Sequence, residues 1–517
     1  MRVVTNDEMR SVEAAAIDDL GVPALVLMEN AARATADAIA ECYPDARRVA
    51  IACGRGNNGG DGLALLRDLT TRGYDATAFI AGSLDRLSLE ATQQFVSCEQ
   101  LGLSPAAVPE PAGGDALDAE FDLWVDALLG TGLNRPVEGP VALWVDWLCN
   151  RRGDVPLVSV DLPTGLDAST ALPPGPHLIA DLTVALGFPK VANVLAPASD
   201  AGGRLRIGDL GVPLPEPPPG PDALYRSRRQ DLVGRLRARP REAHKGSFGH
   251  VVVAGGSSGY SGAVVLAARA AVRGGAGLVT AAVPEHLVDV VDAGSIESMT
   301  LGLPSEGGGW SRNAVEPLLR AVIGRASPGA LALGPGLGLT DDARVLARQV
   351  LARSTSPVVL DADGISAFAG DARALRARDA DLVITPHPGE LARLLGVATD
   401  SVVSDRWGHA RRAARETGAV VVLKGRQTLI SDPALGTWVN PTGNPGMASG
   451  GSGDVLTGVI AALLAQGLEP PSAARMGVYV HGLAGDLAAA TWGETSMAAS
   501  DLVDELGPAF KSLSGSG

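Results

Sequence analysis

The sequence predicts an α/β protein of two domains, each built on a parallel sheet with helices packed against it. Three observations lead to this prediction. Apolar strand-like runs alternate with helical stretches along most of the chain. The chain has 517 residues, which is too long for one ordinary hydrophobic core. A proline-dense stretch, VPLPEPPPG at residues 212–220, interrupts the alternation, which then begins again.

The first half of the chain begins with a helix signal. Thr5 and Glu8 have the spacing of a capping box, which predicts a helix directly after Thr5. Further helices are predicted from Leu25 to Ile39 and from Leu63 to Arg72. The predicted strands of this half are residues 48–53, 76–81, 123–126 and 157–161. Strands and helices in this order are typical of a Rossmann-like, three-layer αβα domain, which we assign to residues 1–211.

The second half repeats the same kind of alternation without repeating the sequence. We assign residues 212–228 to a stiff proline-rich linker and residues 229–517 to a second α/β domain. A long helix is predicted from Gly453–Asp454 to about Gln466. The predicted strands are residues 250–254, 278–283, 330–333, 358–361, 382–385 and 420–424.

Composition excludes several classes of function. The net charge of −15 argues against nucleic acid as a partner, because phosphate backbones are bound by basic surfaces. No apolar run is long enough to span a bilayer, so no membrane association is expected. The four cysteines show no CxxC spacing, and the N-terminus has no signal peptide. We therefore expect a cytoplasmic protein, and an assembly of identical chains whose size the sequence leaves open.

A glycine-rich segment, Gly54–Gly62, is expected to form a loop after the first strand of the sheet. It contains GxGxxG, but the acidic residue of a dinucleotide-binding fingerprint is missing after the next strand. Two later strands end in polar residues, so that Asn58, Asp126 and Thr164 could meet at one edge of the sheet. Their oxygens suit a hard cation.

Three motifs of this half, GNNGGDG, DALLGTGL and DLPTGLDA, resemble the NAD(P)H-hydrate epimerases over roughly residues 1–211. The resemblance implies a potassium site at Asn58, Asp126 and Thr164, and a substrate-contacting acid or base at Asp161. It also implies that the substrate's phosphates and sugar are bound by two segments. These are Asn57, Asn58, Gly59, Gly60 and Asp61, and Gly130, Thr131, Gly132, Leu133, Asn134, Arg135 and Pro136.

In the second half, the segment NPGMASGGSGD at residues 444–454 is the most informative. Small residues lead directly into a helix, whose free N–H groups and dipole make an anion site. Asp454 lies in the first turn, where a carboxylate can accept the proton of a hydroxyl that attacks a bound phosphate. This is the chemistry of a small-molecule kinase.

Six segments, HKGSFG, GPGLG, LDADG, TPHPGE, LKGRQT and NPGMASGGSGD, resemble the ribokinase-like superfamily and, within it, the ADP-dependent NAD(P)H-hydrate dehydratases. The resemblance covers roughly residues 229–510. It implies that the hydrated cofactor contacts Ala263, Gly336, His387 and Asp454, and that ADP is bound by Lys424, Gly425, Arg426, Gln427, Thr428 and Gly453.

Together the two resemblances imply repair of hydrated NADH and NADPH. The first domain would interconvert the R and S epimers. In the second, Asp454 would deprotonate the ring hydroxyl of the S epimer for attack on ADP, with magnesium neutralising charge. Loss of phosphate would then restore NAD(P)H, with AMP as the other product.

Other interpretations stay open at this stage. The glycines could be plain turns, Asp126 and Asp161 helix caps, and His387 a structural histidine. The second domain could be a vitamin or sugar kinase whose product stays phosphorylated. The first domain could bind a nucleotide or a protein without catalysis. A dehydrogenase is the interpretation that GxGxxG alone would favour, but the missing acidic residue argues against it.

Overall fold

A computed structural model describes residues 1–111, 117, 119–236, 239–323, 329–378 and 380–513 of the protein. The chain divides into two compact units, Arg2–Pro218 and Pro219–Gly517 together with Met1. The division lies inside the proline-rich stretch that the sequence assigns to a linker. The end of the assigned linker, residues 212–228, is not a spacer, because Leu224–Arg226 form a strand of the second unit.

The N-terminal unit alternates strands and helices, as the sequence predicts. The capping box is present, with Thr5 accepting a hydrogen bond from the backbone of Glu8 at the start of the first helix. The strands are β1 (Arg2–Val3), β2 (Arg48–Cys53), β3 (Asp75–Ile80), β4 (Ala106–Ala107), β5 (Leu123–Ala127), β6 (Leu157–Val160), β7 (Leu182–Leu186) and β8 (Arg204–Gly208), and the helices are α1 (Asn6–Asp18), α2 (Ala24–Cys42), α3 (Asn57–Thr71), α4 (Leu89–Gln100), α5 (Gly139–Arg151) and α6 (Val191–Val194).

The sheet of this unit is parallel and has seven strands in the order β4-β3-β2-β5-β6-β7-β8. The chain moves outward from β2 in one direction and from β5 in the other. The crevice between the carboxyl ends of β2 and β5 is therefore the topological switch point, where open α/β sheets bind their ligands.

Side chains that alternate along the strands supply two separate cores. Val49, Ile51 and Val125 pack with α1 to α4 on one face of the sheet. Ala50 and Trp124 belong to a second cluster, which includes buried residues of α5, on the other face. The N-terminal unit therefore has the expected three layers, helix, sheet and helix.

The glycine-rich segment after β2 differs from the sequence expectation. The sequence predicts a loop over Gly54–Gly62 and a helix from Leu63, but α3 already begins at Asn57. A Cβ on Gly59 would lie 1.9 Å from the carbonyl oxygen of Gly54, and a Cβ on Gly62 would lie 2.7 Å from Cys53 Sγ. These glycines let the helix approach the strand end closely, and this packing overrides their low helix propensity.

The C-terminal unit is also an α/β structure. Its predicted strands are all present, with ends that agree to within one residue, and its predicted long helix begins at Ser452. The strands are β9 (Leu224–Arg226), β10 (His250–Ala254), β11 (Leu278–Pro284), β12 (Met299–Leu303), β13 (Ser305–Glu306), β14 (Gly309–Trp310), β15 (Gly329–Leu333), β16 (Val358–Leu360), β17 (Leu382–Ile384), β18 (Val420–Leu423), β19 (Leu429–Asp432) and β20 (Gly436–Val439), and the helices are α7 (Ser261–Arg273), α8 (Val288–Gly294), α9 (Val315–Ile323), α10 (Asp341–Arg353), α11 (Asp363–Ser366), α12 (Pro388–Leu395), α13 (Thr399–Ser404), α14 (Arg406–Thr417), α15 (Ser452–Ala465), α16 (Pro470–Trp492) and α17 (Ala499–Leu513).

The main sheet of this unit contains the order β9-β20-β19-β18-β17-β16-β15-β10-β11-β12. In this sheet, the neighbouring strands β18, β17, β16, β15, β10, β11 and β12 all pair in parallel. In contrast, β19 is antiparallel to both β18 and β20. This antiparallel extension was not predicted. The switch point lies between β10 and β15, and the strands that follow in the sheet bring their carboxyl ends to the same edge.

Helices cover both faces of the parallel part. Val251 and Val253 of β10 pack in one large cluster with residues of α7, α15, α16 and α17. Helices α9 and α14 also contact strands, but none of their buried residues belongs to this cluster, so they cover the opposite face. Within the described part of the chain, no helix is long and apolar enough to cross a membrane.

The close approach of α3 to the end of β2 makes Gly59→Ala a test of the fold. The added Cβ would meet the backbone of Gly54, which cannot move away like a flexible side chain, so we expect a loss of at least about 1–3 kcal/mol of stability. Hydrogen exchange of peptides from Arg48–Thr71 would measure this loss locally. Gly132→Ala is the control, because a Cβ there meets nothing within 4 Å and should leave the exchange unchanged. Equal protection in both variants would contradict this account of α3.

Candidate active sites

Asp126 is the centre of a buried polar network at the carboxyl end of β5. Its side chain is 0% exposed and accepts hydrogen bonds from Thr164 N (2.8 Å), Thr164 Oγ1 (2.6 Å), Ser159 Oγ (2.9 Å) and Leu128 N (3.2 Å). Burial raises the pKa of Asp126, although the hydrogen bonds from Thr164 counteract the rise. The network holds the loops after β5 and β6 together.

Asn58 and Asp161 meet at Gly130, in the loop after β5. A Cβ on Gly130 would lie 3.2 Å from Asp161 Oδ2 and 3.3 Å from Asn58 Oδ1, so both side chains line the space above this glycine. The Nδ2 atom of Asn58 is buried and has no hydrogen-bond partner among the described residues. A buried amide donor without a partner is unfavourable, and a ligand at this position would satisfy it.

The residues expected to form a cation site converge on the same loop. The hydroxyl of Thr164 contacts Asp126 and also accepts a hydrogen bond from Leu129 N (3.0 Å), next to Gly130. No cationic side chain in the described part of the chain pairs with Asp126, so a buried carboxylate, a hydroxyl and the Asn58 amide remain as oxygen donors. Oxygen groups of these kinds suit a hard cation.

Asp161 has an unusual backbone and a buried partner that the sequence did not indicate. Its φ is 69°, a conformation that L residues other than Asn and Asp rarely adopt. Its Oδ1 atom accepts hydrogen bonds from the ammonium group of Lys190 and from Leu186 N (3.2 Å). Lys190 is 0% exposed and also donates to Leu186 O (2.9 Å).

Two further carboxyl groups lie near this pair. Burial, followed by the charge of Asp161, raises the pKa of Asp61 well above its usual range. The same two causes raise the pKa of Glu13 on α1. Asp61 was expected at the site from its motif, whereas Glu13 was not.

The remaining predicted residues of this unit have different surroundings. Asn57 is exposed and accepts a hydrogen bond from Ser88 Oγ (2.8 Å), and Gly59 and Gly60 are buried against neighbouring elements. In the second segment, Thr131 is half-buried and Leu133 lies in the hydrophobic cluster of α5. The exposed residues of that segment are Gly132, Asn134, Arg135 and Pro136.

In the C-terminal unit, Asp454 lies in the first turn of α15. Gly451, the residue before the helix, has φ 95° and is its N-cap. On α16, His481 places Nε2 2.9 Å from the carbonyl oxygen of Ser452. Burial lowers the pKa of His481 to about 4, so this ring is neutral and donates to that carbonyl. His481 thereby fixes the backbone from which Asp454 projects.

Lys424 and Asp361 form the polar centre of this site. Lys424 Nζ lies 2.8 Å from Asp361 Oδ1 and 3.8 Å from Glu390 Oε2. Thr457 of α15 donates to the other oxygen of Asp361 (2.8 Å). A Cβ on Gly453 would lie 3.3 Å from Lys424 Nζ, which places the ammonium group beside the start of α15.

The charges of this centre act on the carboxyl of Asp454. Burial and the neighbouring charge of Asp361 raise the pKa of Asp454 to about 7, with Lys424 opposing the rise. Burial alone would lower the pKa of Lys424, but Asp361 and Glu390 raise it, so the ammonium stays charged. Asp454 is thus a carboxyl poised to exchange a proton near neutral pH.

The structure also brings the other predicted contacts of the hydrated cofactor to this edge. His387 caps α12, with Nδ1 accepting from Gly389 N (3.0 Å), and its Nε2 lies 3.5 Å from Glu390 Oε1. A Cβ on Gly336, which has φ 59°, would lie 3.3 Å from Ala263 Cβ. His387 therefore does have a structural role as a cap, and Ala263 and Gly336 are neighbours.

The predicted nucleotide segment, Lys424–Thr428, forms the connection between β18 and β19. Gly425 has φ 130° and Gln427 has φ 53°, and Thr428 Oγ1 donates to Gly425 O (2.9 Å). Arg406 of α14 donates a hydrogen bond to the carbonyl oxygen of Arg426 and so connects this segment to the helix. Burial lowers the pKa of Arg406.

Besides Glu13, three residues of these sites were not predicted. Asp361 ends a predicted strand, a position that could have identified it, since Asp126 and Asp161 were found in this way. Lys190 and His481 contact their partners only through the folded chain, and no local motif marks them. Their high burial is visible only in the structure.

Comparisons with known proteins match each half of the chain to a protein family. The family model for NAD(P)H-hydrate dehydratase matches residues 251–508, and that for the YjeF-related protein N-terminus matches residues 24–192. A crystal structure of ADP/ATP-dependent NAD(P)H-hydrate dehydratase from Bacillus subtilis, co-crystallised with ATP and Mg²⁺, is similar at 30% identity and TM-score 0.50. The match covers 56% of this chain and 98% of that one.

Full-length relatives are also similar. The chain is 39% identical to the bifunctional NAD(P)H-hydrate repair enzyme Nnr of Moorella thermoacetica, over 99% of this chain and 97% of the relative. It is 36% identical to the protein of the same name from Coxiella burnetii, over 97% and 98% of the two chains. The chain therefore belongs to the family of bifunctional NAD(P)H-hydrate repair enzymes.

Proposed function

We propose that the N-terminal unit interconverts the R and S epimers of hydrated NADH and NADPH, and that the C-terminal unit dehydrates the S epimer with ADP, releasing AMP and phosphate. The observation that carries the dehydratase half is the carboxyl of Asp454, placed at the start of α15 beside Lys424 with a pKa of about 7. The observation that carries the epimerase half is the group of carboxyls around Lys190 beside the carboxyl ends of β6 and β7.

In the dehydratase, the ionised carboxylate of Asp454 accepts the proton of the ring hydroxyl. The hydroxyl oxygen attacks the terminal phosphorus of ADP, and the bond to the bridging oxygen breaks, so that AMP leaves. The new phosphate ester is a better leaving group than hydroxide. The ring nitrogen expels it as inorganic phosphate, and loss of a proton from the neighbouring carbon restores NAD(P)H.

The residues around Asp454 support the transfer of charge. Lys424 carries a half-buried ammonium group near the start of α15, where it can stabilise negative charge on the transferred phosphoryl group. The helix N-terminus contributes N–H groups to the same anion. Magnesium bound with the nucleotide would neutralise phosphate charge. Among the described residues, no group of three or more acidic, cysteine or histidine side chains is arranged to hold a metal ion, so we expect the phosphates to supply most of its ligands.

In the epimerase, the hydrate is a hemiaminal, because the hydroxyl lies on the carbon bonded to the ring nitrogen. Asp161 accepts the hydroxyl proton, the carbon–nitrogen bond breaks with its electron pair on nitrogen, and a planar aldehyde results. Protonation of the nitrogen, rotation and the reverse reaction on the other face give the second epimer. Asn58 Nδ2, which has no partner among the described residues, is suited to bind the substrate.

Potassium is part of the proposed epimerase site. Asn58 Oδ1, Asp126 and Thr164 Oγ1 would hold it, and it would supply positive charge beside a carboxylate that is 0% exposed. The ion would fix the loop that carries Gly130, and with it the substrate's position.

Two parts of the proposal concern the surroundings of the chain. We propose a cytoplasmic location and self-association into a homo-oligomer. The four cysteines, Cys42, Cys53, Cys98 and Cys149, form no disulfide, which suits a reducing compartment.

Asp454→Asn tests the dehydratase. Without the base, we expect dehydration of the S hydrate to slow by about 10²–10⁴-fold. The production of NADH, AMP and phosphate from S hydrate and ADP, with ATP in a parallel reaction, is the measurement. Epimerisation of the R hydrate, followed by chromatography, should be unchanged in this variant. A stable phosphorylated product in the wild type would instead indicate a small-molecule kinase, and near-normal dehydration by the variant would exclude Asp454 as the base.

The pH dependence of dehydration tests the raised pKa of Asp454. The base acts only when it is ionised, so kcat/KM should fall as the pH drops below about 7. Asp361→Asn removes the second cause of the raised pKa, and the acidic limb of the profile should move to lower pH. A limb near pH 4 in the wild type would show that Asp454 is not the titrating base.

Replacement of potassium by lithium tests the cation site. We expect slower epimerisation in lithium and weaker protection of peptides from Asn57–Thr71 in hydrogen exchange, because a bound ion stabilises the folded unit. Asn58→Ala should abolish the difference between the two ions. Asn57→Ala is the matched control, since Asn57 is exposed and belongs to no part of the proposed cation site. Identical protection in both ions for the wild type would argue against a potassium site.

A further inference from the structure

Lys190 is a fully buried lysine inside the N-terminal unit. Its side chain is 0% exposed, and its ammonium group donates to Asp161 Oδ1 and to Leu186 O (2.9 Å). Its backbone N donates to Asn193 Oδ1 (2.7 Å), and Asn193 Nδ2 donates back to Asp161 O (3.3 Å). Lys190 and Asp161 are therefore connected through both their side chains and their backbones.

A buried ammonium group needs a reason other than stability. Burying a charge is unfavourable unless it is paired, and apolar residues of similar volume often replace a buried ion pair without loss of stability. Lys190 lies at the start of the short helix Val191–Val194, at the edge of the sheet where Asp161 follows β6. Its place beside a carboxylate of the site points to a role in the chemistry.

The contacts of Asp161 differ between its two oxygens. Oδ1 accepts from Lys190 and from Leu186 N, whereas no donor in the described part of the chain reaches Oδ2. Oδ2 faces the space above Gly130, 3.2 Å from where a Cβ on that glycine would lie. One oxygen is held by the protein, and the other is directed to the site.

Lys190 is a cation shared by several carboxyl groups of this site. Asp161, Asp61 and Glu13 face one buried cation, Lys190, with Arg10 acting only on Glu13. Carboxylates that share a buried site cannot all ionise at low cost. Lys190 contacts Asp161 directly, whereas burial together with the charge of Asp161 raises the pKa of Asp61 and of Glu13.

We propose that Lys190 is a positioning residue of the epimerase site, which holds Oδ1 of Asp161, so that Oδ2 is the atom that accepts the hydroxyl proton of the substrate. This inference rests on the proposed epimerase function. It assigns Lys190 no contact with the substrate, since its effect passes through Asp161.

A double-mutant cycle tests the proposal in the full chain. The variants are Lys190→Met, Asp161→Asn and the two combined, and the measurement is kcat and KM for conversion of the R hydrate. We expect Lys190→Met to lower kcat by about 10²-fold, with a smaller change in KM, because Asp161 is no longer held in place as the base while substrate binding is kept. The double variant should be no slower than Asp161→Asn alone, because both changes remove the same function.

Arg152→Met is the matched control. Arg152 also pairs with an aspartate, Asp181, and donates to two carbonyl oxygens, those of Val155 and Ile179, but it lies at the amino ends of β6 and β7. The Arg152→Met variant should keep the kcat of the wild type for conversion of the R hydrate. Hydrogen exchange of the N-terminal unit checks that each variant is folded.

The outcomes separate the inference from the function on which it rests. A wild type that does not convert the R hydrate contradicts the proposed function itself. Normal conversion by Lys190→Met, or a double variant whose losses multiply, overturns the role of Lys190 while leaving the epimerase assignment intact. If Lys190→Met does not fold, Lys190→Gln is used in the same cycle, since its amide can still donate to Oδ1 but brings no charge.

Discussion

Both units depend on one constraint, namely that a carboxylate buried at the end of a parallel strand must be surrounded by hydrogen-bond donors. Asp126 meets this need in the N-terminal unit, with donors from Thr164, Ser159 and Leu128. Asp361 does so in the C-terminal unit, with Lys424 and Thr457. Because the donors come from other loops and helices, each carboxylate draws separate segments together at one edge of its sheet.

This arrangement has a chemical consequence in each unit. Asp361 holds the ammonium of Lys424 beside the start of α15, and its charge contributes to the pKa of about 7 at Asp454. In the N-terminal unit, a second buried carboxylate, Asp161, is paired with Lys190, while the pKa of Asp61 is raised. Acid and base functions thus arise from where the few buried cations lie among the many carboxyls.

Much of this organisation follows from local sequence. Strands and helices of clear periodicity were predicted, and Asp126, Asp161 and Asp454 were found because each lies at a strand end or a helix start. The predicted start of α3 at Leu63 was wrong, because helix propensity disfavours Asn57–Gly62. The contacts of Gly59 and Gly62 with the end of the strand explain the helix there.

The features that the sequence did not predict are those that depend on long-range contacts. Lys190 becomes the partner of Asp161 only when β6 and β7 pair and the backbone of Asp161 takes its positive φ. The antiparallel strands β19 and β20 are short, and they are held by contacts of β19 with helices α14 and α16 and of β20 with α14, which no local pattern indicates.

The central claim is that one chain carries two independent active sites, and mixing two variants tests it most directly. Asp161→Asn and Asp454→Asn chains are incubated separately and together with R and S NADH hydrates, ADP, magnesium and potassium, and the initial rate of NADH recovery from the R epimer is corrected for an enzyme-free control. The account predicts little recovery with either variant alone and near wild-type recovery when both are present. A mixture that is no faster than Asp161→Asn alone would contradict the claim of two separate sites.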